Sequence, residues 1–112
     1  MIIKIPTAEI TGWASFHDVF QRVLGFPSFY GRNMDAWIDC MTGVDGDAGM
    51  TSVTVPPGDV LILEIEDPFD FKERLPEQYD ALIECSSFVN HRRTEVGDPP
   101  VLALLLNGQP QR

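Results

Sequence analysis

Asn33-Met34-Asp35-Ala36-Trp37-Ile38-Asp39-Cys40-Met41-Thr42-Gly43, entered through Tyr30-Gly31-Arg32, is the stretch on which the reading of this chain turns. It predicts a loop feeding a short helix over residues 34–42. Asn33 is a good N-cap, because its side-chain oxygen accepts from a free backbone N–H of the first turn. Gly43 suits the position after the last turn, where a left-handed conformation closes a helix. Pro27 and Gly31 keep the preceding segment out of the helix. At about 100° per residue the segment has two faces. Ala36, Trp37, Cys40 and Met41, with Met34 at the edge, form a face that packs on a core. Asp35, Ile38, Asp39 and Thr42 form the other, two carboxylates one turn apart with an isoleucine between them.

That second face has two readings. One is a solvated helix surface that happens to be acidic. The other is a binding surface, an exposed apolar contact ringed by carboxylates and suited to a cationic partner. Like charges at this spacing cost an isolated helix roughly 0.2–0.5 kcal/mol. The helix dipole offsets part of that for Asp35 and less for Asp39.

Charge segregation favours the second reading. Nine of the seventeen acids lie between Asn33 and Phe71, a stretch with no Lys or Arg, so the remaining eight acids face all eight bases and the net charge of −9 belongs to the middle of the chain. Such a field repels nucleic acid, which requires a basic footprint. It attracts and steers basic proteins. Aid to solubility is the competing explanation.

A length of 112 residues with 44% hydrophobic content suits one compact domain spanning 1–112, built on one core. No apolar run approaches the roughly 18–20 residues of a membrane span. The start, Met1-Ile2-Ile3-Lys4-Ile5-Pro6, lacks the basic leader and the length of a signal peptide. A cytoplasmic protein, monomeric when free, is expected. Cys40 and Cys85 read as free thiols, since neither a disulfide framework nor paired metal-ligand spacing accompanies them. Asp45-Gly46-Asp47 opens like a calcium loop, but the later acids and closing glutamate are missing. No cofactor or metal is expected.

In chain order, residues 1–5 read as a strand ended by Pro6. Trp13, Phe16, Phe20, Val23 and Leu24 mark an amphipathic helix, with Thr11 as its cap, Gly25 after its end and His17 on its polar side. Residues 43–58, rich in Gly and Pro, read as irregular, with a short β segment at 52–55. Asp59 to Ile65 is a second strand whose unbroken apolar centre suits burial on both faces. Pro68 to Leu75 is a short helix capped by Asp67. Residues 77–93 form a longer helix with an apolar stripe of Tyr79, Leu82, Ile83, Phe88 and Val89. Arg92 and Arg93 lie at its end, where cations favour the dipole, and His91 beside them is solvated. Val101 to Leu106 is a third strand, and 107–112 a frayed tail. Helices between strands imply parallel pairing. The class is α/β, in the order β-α-α-β-α-α-β.

The matched residues Tyr30, Gly31, Asn33, Asp35, Ala36, Asp39, Cys40, Thr42 and Gly43, extended by Pro27 and the aromatic at 29, resemble the central segment of the barstar family, intracellular inhibitors of the ribonuclease barnase. The resemblance implies a three-stranded parallel sheet backed by about four helices, an order that covers nearly the whole chain. It implies a function as well: inhibition, as an immunity protein, of a basic extracellular-type ribonuclease. Asp39 would plug the nuclease site and Asp35 would be the second anionic contact. Asn33, Gly43 and Phe29 would flank them, with Ile38, Thr42, Val44 and Tyr30 completing the partner-binding set. Asn33 doubles as the cap, and Phe29 and Tyr30 read equally as core residues. The chain departs from the family pattern where Ile38 and Val44 replace tryptophans and Arg32 replaces an acid. The family's additional glutamate contact on the last long helix has no clear match, since Phe88–His91 contains no acid, and the 43–58 connection is long. These departures fit a different nuclease, or a different basic toxin domain. An enzyme is the weaker alternative: the sequence shows no nucleophile–histidine pair, phosphate-cradling loop or metal-ligand spacing. Asp35 and Asp39 on a convex face have nothing to separate their acidities.

Overall fold

In the computed structural model, which describes residues 1–46 and 50–108, three strands form one parallel sheet in the order β1-β2-β3. They are β1 (Ile2–Ile5), β2 (Leu61–Glu66) and β3 (Leu102–Asn107). Four helices connect them: α1 (Trp13–Leu24), α2 (Met34–Thr42), α3 (Pro68–Arg74) and α4 (Pro76–Glu95). A single 3-10 turn at Thr7–Glu9 is the one element the sequence pattern does not announce. The expected element order holds. The last strand runs to Asn107, which corrects the expected start of the tail, and residues 109–112 lie outside the described residues.

Strand β2 is central, and its side chains alternate. Leu61, Leu63 and Ile65 are fully buried while Ile62, Glu64 and Glu66 are half-covered. The expectation of burial on both faces is therefore corrected. Register places Ile2, Ile62 and Ala103 in one row and Lys4, Glu64 and Leu105 in another on the open face. Lys4 pairs there with Glu64 and Glu66. A three-stranded sheet with helices on one side needs only one apolar face, and period-two alternation supplies it.

Helix α1 follows its predicted apolar spacing, but its start differs from expectation. Thr11 is not the cap; Ser15 Oγ instead accepts from the Thr11 and Gly12 backbone N–H groups at 2.7 and 3.2 Å. Gly25 ends the helix in the left-handed region at φ 67°. Asp67 likewise makes no side-chain cap; it is itself left-handed at φ 44°, and Pro68 begins α3. The anticipated β segment at 52–55 is not a strand. Its backbone instead hydrogen-bonds to Leu24 and Gly25 through Ser52 and to Val44 through Val55.

His17 corrects the sequence reading most plainly. It is buried at 4% exposure, because the loop before α2 folds Tyr30 over it. His17 Nδ1 and the Tyr30 hydroxyl lie 2.6 Å apart, and Trp13 stacks on the imidazole. Burial, with Arg32 nearby, pushes the His17 pKa below its usual value; burial pushes that of Tyr30 up.

The buried line of α4 also differs from the predicted stripe. It runs through Gln78, Leu82, Ser86, Val89 and Arg93, and leaves Phe88 half exposed. A four- and three-residue spacing governs the line, and its charged member, Arg93, is held by hydrogen bonds to Thr42, Asp45 and Pro99. Trp37 Nε1 and Ser86 Oγ are the two buried side-chain polar atoms without a partner among the described residues.

Candidate functional site

The loop and helix α2 are set in place by local chemistry. Asn33, in extended conformation, accepts the Ala36 N–H at 2.8 Å, as its capping role requires. Before it, Arg32 takes a left-handed backbone at φ 55°. Its guanidinium reaches Asp18 at 2.8 Å and the Ala14 carbonyl at 3.0 Å, tying the loop to α1. Trp37, Cys40 and Met41 bury against the core, and Trp37 meets Phe20 edge-on. That inner face matches the wheel, and it turns Asp35 and Asp39 outward.

The outer face is not the open surface the sequence suggests. Ile38 is buried at 8% exposure, because α4 packs alongside α2. The exposed isoleucine between two carboxylates is thus corrected to the floor of a groove. Asp35, Ile38, Asp39, Phe88 and Arg92 line that groove, about 330 Å³ in volume. Arg92 Nη1 donates to Asp39 Oδ1 at 2.8 Å, with both side chains roughly half exposed. Asp35 has no ion-pair partner among the described residues.

The end of α2 is closed by a distant side chain. Gly43 is not left-handed; its φ is −101°, and the expected glycine cap is corrected. The orphan Thr42 carbonyl receives Arg93 Nη1 at 2.8 Å, while Arg93 forks onto both carboxylate oxygens of Asp45 at 2.9 and 2.6 Å. Arg93 also donates to the Pro99 carbonyl at 2.8 Å. One buried guanidinium therefore locks the α2 terminus, the following turn and the approach to β3. Asp45 is committed to this clamp rather than to a calcium ion; Asp47, the other acid of that hint, lies outside the described residues. Among the described residues no cluster of His, Cys, Asp and Glu could hold a metal ion.

The remaining candidates fall on both sides of the surface. Phe29 is 74% exposed and Asn33 is exposed, whereas Tyr30 and Val44 are buried at 6% and 0%. Tyr30 takes the core alternative, and Val44 offers no surface to a partner in this conformation. Thr42 is half-buried, its hydroxyl donating to the Ile38 carbonyl at 2.6 Å. Burial, with Asp39 beside it, pushes the Cys40 thiol up to about 11, so neutral thiol predominates at physiological pH. Cys85 is raised for the same chief reason. Both cysteines are free. His91 is exposed, as expected, and pairs with Glu95.

Sequence reasoning missed Phe88, Arg92 and Arg93 as members of this region. Their spacing of four and five residues on α4 was visible. Their pairing with α2 spans 53 residues for Arg92–Asp39 and carries no local signal. The same pairing tempers the acidic field. Asp39, Asp45, Glu64, Glu66 and Asp70 each find a base from outside the middle stretch.

Among the described residues, no helix is long and apolar enough to cross a membrane. A search of the curated proteins returns no match. The family comparison does: residues 1–104 match the family described as Barstar (barnase inhibitor). Element order, parallel sheet and the loop-to-helix segment agree with that match, and the chain belongs to the barstar family.

Proposed function

We propose that this protein inhibits a basic ribonuclease by presenting the loop before α2 and the outer face of α2 to the nuclease's phosphate-binding pocket. Such a pocket holds its substrate with cationic side chains. A carboxylate aimed into it takes the place of a phosphate and forms charge-assisted hydrogen bonds. No bond is offered for cleavage, so the complex is a dead end. Asp39 is the central contact and Asp35 the second. Asn33, Phe29, Thr42 and Gly43 flank them, and Ile38 supports the pair from beneath. The protein itself acts as a binder, not a catalyst. The observation that carries this reading is the exposure of Asp35 and Asp39 on successive turns of α2, at the positions where the family pattern places its anions.

One observation favours a second target class. Val44 is fully buried and Ile38 nearly so, so the two positions where the family pattern carries tryptophans contribute little contact surface. A basic toxin that is not a ribonuclease fits the same acidic groove without needing those contacts.

The test is capture of the binding protein from the source cell, followed by an RNA-cleavage assay, with barnase run in parallel. The expected result is stoichiometric loss of cleavage, absent with Asp39→Ala. Capture of a basic protein without nuclease activity would move the function to the second reading. Capture that is equally strong with Asp39→Ala would overturn both.

A further inference from the structure

The groove between α2 and α4 already contains a guanidinium. Arg92 reaches across from α4 to Asp39, over a floor of Ile38 and half-exposed Phe88. Neighbouring Arg93 is fixed by Asp45, Thr42 and Pro99, so the α4 backbone at this point is pinned to α2. Arg92 can therefore leave Asp39 by side-chain rotation alone, with no movement of the helix.

We propose that Arg92 is a resident competitor, occupying on Asp39 the place that an arginine of the partner takes, and that binding is an exchange of one guanidinium for another. This rests on the reading of the α2 face as the partner-binding face, and specifies the group it receives. A guanidinium suits the groove for three reasons. Its planar fork matches a carboxylate, it is weakly hydrated, and it stacks on aromatic rings. The groove offers carboxylates on two successive turns and the Phe88 ring beside them. Arg92 also offsets the like charges of Asp35 and Asp39 while no partner is present. A half-exposed ion pair is weak, so the competition lowers affinity for an incoming guanidinium by about two- to fivefold. That is small enough for a partner to overcome, and large enough to measure.

The test uses L-arginine amide as the probe, titrated at low salt into isotopically labelled protein and followed by amide chemical shifts. The variants are Arg92→Gln, which keeps a polar stem without charge, Arg92→Ala as its check, and Arg92→Gln combined with Asp39→Asn. In the Arg92→Gln and Arg92→Ala proteins, shifts at Asp39, Ile38 and Phe88 should saturate with an apparent Kd about two- to fivefold lower than in the parent. Asp39→Asn should remove that binding. Equal affinity in the parent and both Arg92 variants would overturn the proposal, as would saturable shifts only outside the groove or no saturable binding at all. No nuclease enters this experiment, so its failure is distinct from failure of the inhibition assay.

Discussion

Replacing Arg93 with leucine would leave the Asp45 carboxylate, whose side chain is only 16% exposed, without its cation. It would also strip the Thr42 and Pro99 carbonyls of their donor. Removing one member of a buried ion pair costs about 3–5 kcal/mol, since the remaining charge is desolvated and unpaired. A domain of this size has roughly 5–15 kcal/mol in total. With about 4 °C lost per kcal/mol near this chain length, the melting temperature should fall by about 12–20 °C. The double variant Arg93→Leu, Asp45→Leu removes the stranded charge. It should be more stable than Arg93→Leu alone, because a pair replaced by apolar groups is far less costly than a pair broken. Thermal melts by circular dichroism and urea titrations on the parent, both single variants and the double variant form the cycle. An Arg93→Leu protein melting within about 4 °C of the parent, equivalent to about 1 kcal/mol, would refute the reasoning. So would a double variant whose loss equals the sum of the singles.

Three further outcomes follow from other parts of the molecule. Burial holds the folded-state pKa of His17 below its ordinary 6.5, so the unfolded chain binds its proton first as pH falls. Stability from this site is complete above pH 6.5 and declines below it, with a slope of at most about 1.4 kcal/mol per pH unit. Melts between pH 7.5 and 5.5 should show that slope, and His17→Gln should flatten it. Gly25→Ala should destabilise strongly, because Gly25 sits at φ 67° and an added Cβ would meet the Ser52 side chain; a urea midpoint unchanged from the parent would contradict this. Association with a basic partner should slow at least severalfold between 10 and about 150 mM salt, where the screening length shrinks to about 8 Å, while dissociation changes little. Stopped-flow rates that are flat in salt would remove the steering argument.

The parts of the fold that were legible in the sequence are those written in local chemistry. Asn33 caps α2 through a hydrogen bond three residues away, and Gly25 closes α1 with its own backbone freedom. The inner face of α2 follows from helical periodicity alone. The Thr11 and Asp67 caps differ through local geometry, but the larger differences are decided by contacts far along the chain. Ile38 reads as exposed from the sequence because nothing within α2 reveals that α4 covers it. His17 lies off the apolar stripe of α1, and only the folding of Tyr30 over it makes burial tolerable. Gly43 suits a left-handed cap by its residue type, but Arg93, fifty-one residues from Thr42, supplies the missing donor. The two carboxylates were found because they stand on a short helix with a recognisable sequence pattern. Arg92, which turns that acidic face into a mixed-charge groove, had no such pattern.

The most direct measurement is the binding isotherm of the captured ribonuclease with the parent and with Asp39→Ala, accompanied by a thermal melt of each. Among the described residues Asp39 pairs only with the half-exposed Arg92, a contact of the kind worth about 0–1 kcal/mol, so the melt should move by no more than a few degrees. In the complex the nuclease cation it faces would be stranded by the substitution, at a cost of roughly 3 kcal/mol or more. The predicted result is affinity lower by at least about a hundredfold with the fold intact. Equal affinity for a folded Asp39→Ala protein would contradict the account at its centre, leaving the acidic face of α2 as surface alone.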